Sequence, residues 1–156
     1  MIFFQQASTL EDHNLAKSLF LEYASELNID LSFQDFNNEI NNLNIQYTPP
    51  GGALLIGFTH NHYPVGCFAI RQLDEFYCEL KRMYLRDEFR GRGVGNQMIL
   101  LAIDQSTRLN YQYMRLDTLS SMTAAISLYR KYGFYDIPPY RYNPIDGSIY
   151  LEKKLI

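Results

Sequence analysis

A mixed fold, α/β (α+β), with helices on both faces of a mostly antiparallel central sheet is what this sequence predicts, and three observations carry the reading. Apolar residues recur at helical spacing in some segments and run or alternate at strand spacing in others. Pro49-Pro50-Gly51-Gly52 separates a helical first third from a succession of strands. A glycine-rich turn, Arg90-Gly91-Arg92-Gly93-Val94-Gly95, then joins the last of those strands to a new helix. The order that follows is β-α-α-β-β-β-α-β-α-β, a sheet covered by helices.

Each element has its own signal. Residues 1 to 6 alternate weakly and are rich in Phe, a first strand. Ser8 and Thr9 before Leu10-Glu11-Asp12 form a capping signal, and Leu15, Leu19, Tyr23 and Leu27 keep helical spacing to about residue 27. Ser32 with Asp35 offers a second cap for a shorter stripe, Phe33, Phe36 and Ile40, ending near residue 43. Ala53 to Phe58 and Val65 to Ile70 read as a hairpin turning at His60-Asn61-His62, and residues 76 to 86 as a third antiparallel strand. Val94, Met98, Leu101 and Ala102 give a helix face to about residue 108. A strand near Tyr113 to Thr118 and a helix near Met122 to Tyr132 follow, and Gly133 stops that helix. A Pro/Tyr-rich loop, residues 137 to 144, leads to a last strand near Ser148 to Lys153.

Composition bounds the function. A length of 156 residues fits a single domain over residues 1 to 156. A hydrophobic fraction of 47%, with 13 Tyr and 10 Phe, excludes a disordered chain. Fourteen Lys and Arg against seventeen Asp and Glu give a net charge of −3, the wrong sign for coating a nucleic acid. That average hides a basic stretch: Lys81, Arg82, Arg86, Arg90 and Arg92 against Asp87 and Glu88 give 5 − 2 = +3 for residues 81 to 92. Apolar runs stop well short of the roughly 20 residues a spanning helix needs, so no membrane partner is expected. Met1 to Gln6 has neither a basic region nor a small-residue cleavage site, and a cytoplasmic location is the expectation. Cys67 and Cys78 read as buried thiols, near neighbours across a strand pair, and with His13, His60 and His62 they form no metal-ligand pattern.

The glycine turn holds the strongest chemistry. Three alternating glycines at the start of a helix let the backbone come close to a ligand and aim several N–H groups at it, which makes an anion cradle. Arg90 and Arg92 would add charge-assisted bonds to phosphate. Asn96 follows Gly95 where a P-loop needs Lys and Ser or Thr, and the G-x-G-x-G spacing after a meander is a poor dinucleotide fingerprint. Taken alone, the turn equally admits a structural loop with no ligand.

The turn does not stand alone. R-x-x-G-x-G at Arg90, Gly93 and Gly95, preceded by Met83-Tyr84-Leu85-Arg86-Asp87-Glu88-Phe89, resembles the acyl-CoA motif of the GNAT-type N-acetyltransferases. Leu116-Asp117-Thr118 and then Ala125-Ile126-Ser127-Leu128-Tyr129-Arg130-Lys131-Tyr132-Gly133-Phe134 resembles that family's A-x-x-L-Y-x-K-x-G-F signature. The resemblance spans nearly the whole chain. It implies acetyl-CoA as co-substrate and no metal, with the pyrophosphate on Arg90, Gly91, Arg92, Gly93, Val94, Gly95 and Asn96. It also implies a pantetheine arm beside Met83, Tyr84 and Leu85, where two central strands splay apart. The acceptor would be a primary amine of a small molecule or peptide, attacking directly in a ternary complex. Homodimers are frequent in the family.

Three roles follow from the same resemblance. Glu79, eleven residues before Arg90, matches the glutamate base of the histone-acetylating branch, and strand alternation puts it on one face with Lys81, Met83 and Leu85. Half of an ion pair with Lys81 is the competing reading of Glu79. Tyr129 matches the general acid that protonates the leaving thiolate. The backbone N–H of Met83 matches the oxyanion donor. Met122 stands where many members carry Asn on the pantetheine arm, with Ser120 and Ser121 as weak substitutes. Tyr140, Arg141 and Tyr142 would form an aromatic wall with a cationic end for a carboxylate-bearing amine such as an amino acid, or else pack on the last strand. A non-catalytic acyl-CoA-binding regulatory module is the alternative function, and it would need neither Glu79 nor Tyr129.

Overall fold

The computed structural model describes residues 1–28, 30–32 and 35–156. The elements are β1 (Ile2–Gln6), α1 (Leu10–Leu27), α2 (Phe36–Ile40), α3 (Leu43–Gln46), β2 (Ala53–Thr59), β3 (Pro64–Gln72) and β4 (Tyr77–Leu85), then α4 (Val94–Arg108), β5 (Tyr113–Leu119), α5 (Thr123–Lys131), β6 (Tyr135–Asp136) and β7 (Ser148–Lys154). They form a seven-stranded sheet in the order β1-β2-β3-β4-β5-β7-β6. Among its neighbouring strands only β4 and β5 run parallel. The fold class read from the sequence is the one observed.

Local chemistry accounts for the elements. At the start of α1, the Thr9 hydroxyl accepts the Asp12 N–H at 3.0 Å while the Asp12 carboxylate accepts the Thr9 N–H at 3.1 Å, a reciprocal box. The second predicted helix is shorter than its apolar stripe suggests. It divides into α2 and α3 because Asn41 and Asn42 turn their side-chain amides back onto the carbonyls of Asn37 and Asn38, both at 2.8 Å, and leave the helical path. Asp35 makes no side-chain cap there, and Phe33 lies outside the described residues. The two-residue β6, paired with Glu152 and Leu151, is too short for a periodicity signal.

Helices cover the sheet on two faces. On one, Val94, Met98, Ile99 and Ala102 of α4 and Tyr129 of α5 pack on Phe68, Ile70, Leu80, Met114, Leu116 and Leu151. On the other, Ala16, Leu19 and Phe20 of α1, with Phe36 and Leu43, pack on Leu54, Ile56, Cys67, Ala69 and Tyr84. Cys67 and Cys78 therefore lie on opposite faces, and Cys67 is paired with Tyr84 rather than near Cys78. The expectation that the thiols are neighbours fails on register.

A bulge in β4 corrects a second expectation. Cys67 pairs with Tyr84 and Ala69 with Lys81, so Phe68 alone stands opposite Arg82 and Met83, and Arg82 takes φ +55°. One extra residue shifts every later side chain to the other face. Met83 and Leu85 pack with Leu80 on the α4 face. Glu79 and Lys81, paired with Arg71 and Ala69, lie on the α1 face. Simple alternation grouped Glu79 with Met83 and Leu85; the bulge separates them.

Candidate active site

Strands β4 and β5 pair only from Tyr77, Cys78 and Glu79 to Tyr113, Met114 and Arg115. Beyond Glu79 they diverge, as expected of two splayed central strands. A groove of about 540 Å³ lies on the α4 and α5 side of the gap, lined among others by Met83, Leu85, Gly91, Gly93, Gly95 and Tyr129. A smaller pocket of about 60 Å³ lies at the gap on the α1 side, lined by Lys81, Arg82, Asp117, Thr118 and Asn143. Tyr23, Leu27 and Met122 border both. Groove and pocket meet there.

At the mouth of the groove, Gly91 and Gly93 adopt φ of +74° and +81°, where an L side chain is strained. A Cβ at either would meet nothing within 4 Å, so the space above the turn is open. Gly93 caps the fifteen-residue α4 without a side-chain hydrogen bond, which leaves the first N–H groups of that helix facing the groove mouth. Asn96 lines the groove and accepts from Lys131 and Tyr132, each at 2.9 Å, tying α4 to α5. Val94 is buried in the core.

The arginines of this segment depart from expectation. Arg90 donates to the Leu85 carbonyl at 2.8 Å and to Glu26 at 2.5 Å, so its guanidinium braces the turn against α1. Its bond to Leu85 occupies a main-chain carbonyl of the segment expected to lie beside the pantetheine arm. Arg86 is held by Glu22 at 2.8 and 2.9 Å, and Arg82 by Glu39 at 2.6 and 3.0 Å. Most of the basic stretch is thus neutralised internally. Arg92, over the Phe89 ring at 6.0 Å, remains exposed and outside the groove lining. At the turn, then, the uncommitted groups are the backbone N–H groups at the start of α4 and the exposed Arg92.

Tyr129 lines the groove on α5 and is 8% exposed. Burial pushes its phenol well above the usual value, and the Asp117 carboxylate adds to the shift, so it stays protonated. Met122 lies at the junction, its sulfur 3.6 Å from the Thr118 hydroxyl. Ser121 lines the groove, whereas Ser120 turns toward Gly147, whose carbonyl accepts its N–H at 2.8 Å.

Glu79 is completely buried and surrounded by cations. One carboxylate oxygen accepts from Arg71 at 2.9 Å and stands 3.9 Å from the Lys81 ammonium. The other accepts from the Tyr140 hydroxyl at 2.5 Å and from Arg141. Burial alone would raise its carboxyl, but Lys81, Arg141 and Arg71 outweigh that and hold it below its ordinary value. A general base needs an accessible oxygen and an affinity for protons near the working pH. Glu79 has neither. Of the residues expected to meet the acceptor, Tyr140 and Arg141 close over Glu79 and Tyr142 is 78% exposed, while the same loop sends Asn143 and Ile145 into the pocket.

Asp117 was not singled out from the sequence. It is half-buried on β5, lines the pocket, and accepts from the Asn143 amide at 3.2 Å. A signal existed: in β5 the polar Arg115 and Asp117 alternate with Met114 and Leu116, which are buried in the opposite face. The buried Glu39, which accepts from Arg82 and from the Tyr47 hydroxyl at 2.8 Å, was missed as well, because its partners lie just after α3 and on β4. Among the described residues no cluster of His, Cys, Asp and Glu could hold a metal ion, and no helix is long and apolar enough to cross a membrane.

The sequence matches the family profile described as acetyltransferase (GNAT) family over residues 14–134. It is 35% identical over 140 residues to an uncharacterized N-acetyltransferase of Schizosaccharomyces pombe, covering 89% of this chain and 86% of that one. In structure it is similar to a GNAT-family acetyltransferase from Staphylococcus aureus Mu50, with a TM-score of 0.83, 20% identity and all of both chains covered. It is also similar to a GNAT-family acetyltransferase from Elizabethkingia anophelis with acetyl-CoA bound, with a TM-score of 0.64 and 19% identity over 98% of this chain and 97% of that one.

Proposed function

Since the chain belongs to the GNAT acetyltransferase family and is an acetyltransferase, we propose that it moves the acetyl group of acetyl-CoA to a primary amine by direct attack, with Asp117 as base and Tyr129 as acid. The observation that carries this reading is the meeting of groove and pocket at the β4/β5 gap, with Tyr129 lining one and Asp117 the other. Acetyl-CoA lies in the groove, its pyrophosphate over Gly91, Gly93 and Gly95 at the start of α4. The acceptor amine enters from the pocket.

An alkylamine of pKa about 10.4 loses a proton at pH 7 at a cost of roughly 4–5 kcal/mol, at about 1.36 kcal/mol per unit. Asp117 receives that proton. The neutral nitrogen adds to the thioester carbonyl, and the Met83 N–H stabilises the oxyanion. Asp117 passes that first proton to solvent and takes the second from the nitrogen as the tetrahedral adduct collapses; the C–S bond breaks, and the Tyr129 hydroxyl gives its proton to the departing thiolate. The phenol regains a proton from solvent. Glu79 stays ionised and fixes the loop at residues 140 to 143, so that Asn143 reaches Asp117.

The test is release of CoA thiol from acetyl-CoA with a broad amine panel. Tyr129→Phe is expected to lower kcat about 10²-fold with little change in CoA affinity. Undiminished turnover in that variant removes Tyr129 from the mechanism.

A further inference from the structure

Three of the described residues border both the groove and the pocket, and they decide what can stand between the two. Tyr23 and Leu27 come from α1, and Met122 comes from the turn between β5 and α5. The Tyr23 ring is set edge-on against Tyr84 at 5.6 Å, and the Tyr84 hydroxyl is tied to Glu22 and Glu26 of α1 at 2.9 and 3.0 Å, so this wall is braced. The opposite wall is an unbranched side chain held at one point. The Met122 sulfur receives the Thr118 hydroxyl at 3.6 Å, and Thr118 lines the pocket on β5. A thioether has no proton to donate, and that contact uses its weak acceptor, so Met122 presents apolar bulk to the junction.

In the transfer reading the thioester carbon reacts at this junction, with its oxygen turned to the Met83 N–H on β4 and its sulfur to Tyr129 in the groove. The three substituents of a carbonyl carbon lie in one plane and point away from one another. The acyl chain therefore leaves in the remaining direction, across the gap from β4, where Met122 rests on Thr118 of β5. A methyl group ends there. A further carbon has two ways to go, and one runs into the thioether. The other runs into the pocket, whose volume of about 60 Å³ gives room for roughly four or five water-sized groups at about 10–15 Å³ each. The acceptor amine must occupy that space at the same moment.

We propose that Met122 sets the length of the acyl group: acetyl fits at the junction, and propionyl or longer acyl groups are rejected on the Met122 thioether. The proposal rests on the acetyl-transfer reading above and adds to it the residue that limits the donor. Met122 touches the acyl chain and takes no part in the bond changes, so its role is one of specificity. A single methylene in an apolar site is worth about 10–200-fold in kcat/KM, and that is the discrimination expected between two carbons and three.

The experiment gives the full chain acetyl-, propionyl- and butyryl-CoA, with the amine that the panel above turns over fastest and with methylamine beside it. Thiol release yields kcat/KM for each donor. In wild type, propionyl-CoA is expected to fall about 10–200-fold below acetyl-CoA, and butyryl-CoA lower still. Met122→Ala is expected to bring propionyl-CoA toward the acetyl-CoA value, whereas Met122→Leu, close to Met in volume, keeps the preference. A binding readout stands beside activity: in calorimetric titrations without amine, wild type binds acetyl-CoA more tightly than propionyl-CoA, and Met122→Ala binds the two alike. Equal use of acetyl- and propionyl-CoA by wild type overturns the proposal, as does an unchanged ratio in Met122→Ala. A ratio that shrinks when methylamine replaces the larger amine also overturns it, since the added carbon then lies in the acceptor's pocket. If no amine releases thiol from any donor, the transfer reading fails, while the calorimetric comparison of wild type with Met122→Ala still upholds or overturns the role of Met122.

Discussion

Glu79 and Asp117 stand on adjacent strands and on the same side of the sheet, two residues apart in register, but their surroundings differ. Glu79 is sealed, with both oxygens taken by Arg71, Lys81, Tyr140 and Arg141. Asp117 is half-buried, lines a pocket and has a neutral amide partner, Asn143. The difference arises where β4 and β5 part. Up to Glu79 the strands are paired and the loop at residues 140 to 141 folds over them; beyond it the gap admits a ligand. A carboxylate whose coordination is complete holds structure in place, and one with room beside it can take a proton. In the proposed mechanism this contrast gives fixation to Glu79 and chemistry to Asp117.

The sharpest way to break this contrast is to remove each charge in turn. Asp117→Asn is expected to lower kcat/KM by 10²–10⁴-fold, the range for a positioned base, with a nearly unchanged Tm. Glu79→Gln is expected to do the reverse in kind. It leaves three buried or half-buried cations short of their anion and costs about 3–5 kcal/mol in unfolding free energy, read by urea titration. Loss of turnover without loss of stability in Glu79→Gln would return the base role to Glu79. The pH dependence separates them further. Because the folded Glu79 carboxyl is held below its ordinary value of 4.5, its contribution is fully present above about pH 4.5 and disappears as pH falls through the lower folded value. The acid limb of the stability curve should therefore be steeper in wild type than in Glu79→Gln.

The sequence made the fold legible because its elements are long and their signals agree: α1 has a cap and a stripe, and the two strand segments between Ala53 and Ile70 are nearly continuous apolar runs. The glycine turn and the Tyr129 motif were readable for the same reason, since their residues are contiguous. What stayed hidden depends on the third dimension. The bulge at Arg82 inverts the facing of Glu79 relative to Met83, and no periodicity in β4 announces it. The pairing of Glu79 with Arg141 spans 62 residues, and that of Arg82 with Glu39 spans 43, so neither partner is visible in a local window. Asp117 sat inside a quoted motif with no sign that a pocket lay beside it.

The same contrast between committed and available charge recurs on a smaller scale at the glycine turn, in Arg90 and Arg92. Arg90 is bonded to Glu26 and to the Leu85 carbonyl, whereas Arg92 is exposed over Phe89. Arg92→Gln should weaken CoA binding by a few-fold at low salt, about 0.3–1 kcal/mol for an exposed charge near phosphate, and the effect should fade as salt rises. Arg90→Gln acts differently. It frees the turn from β4 and α1, so its effect on acetyl-CoA KM should persist at high salt, because the loss is one of geometry and not of long-range attraction. Calorimetric titration of CoA at two ionic strengths distinguishes the pair. Identical salt dependence for both variants would mean that Arg90 also meets the phosphates, and that its bonds to Glu26 and Leu85 give way when the cofactor arrives.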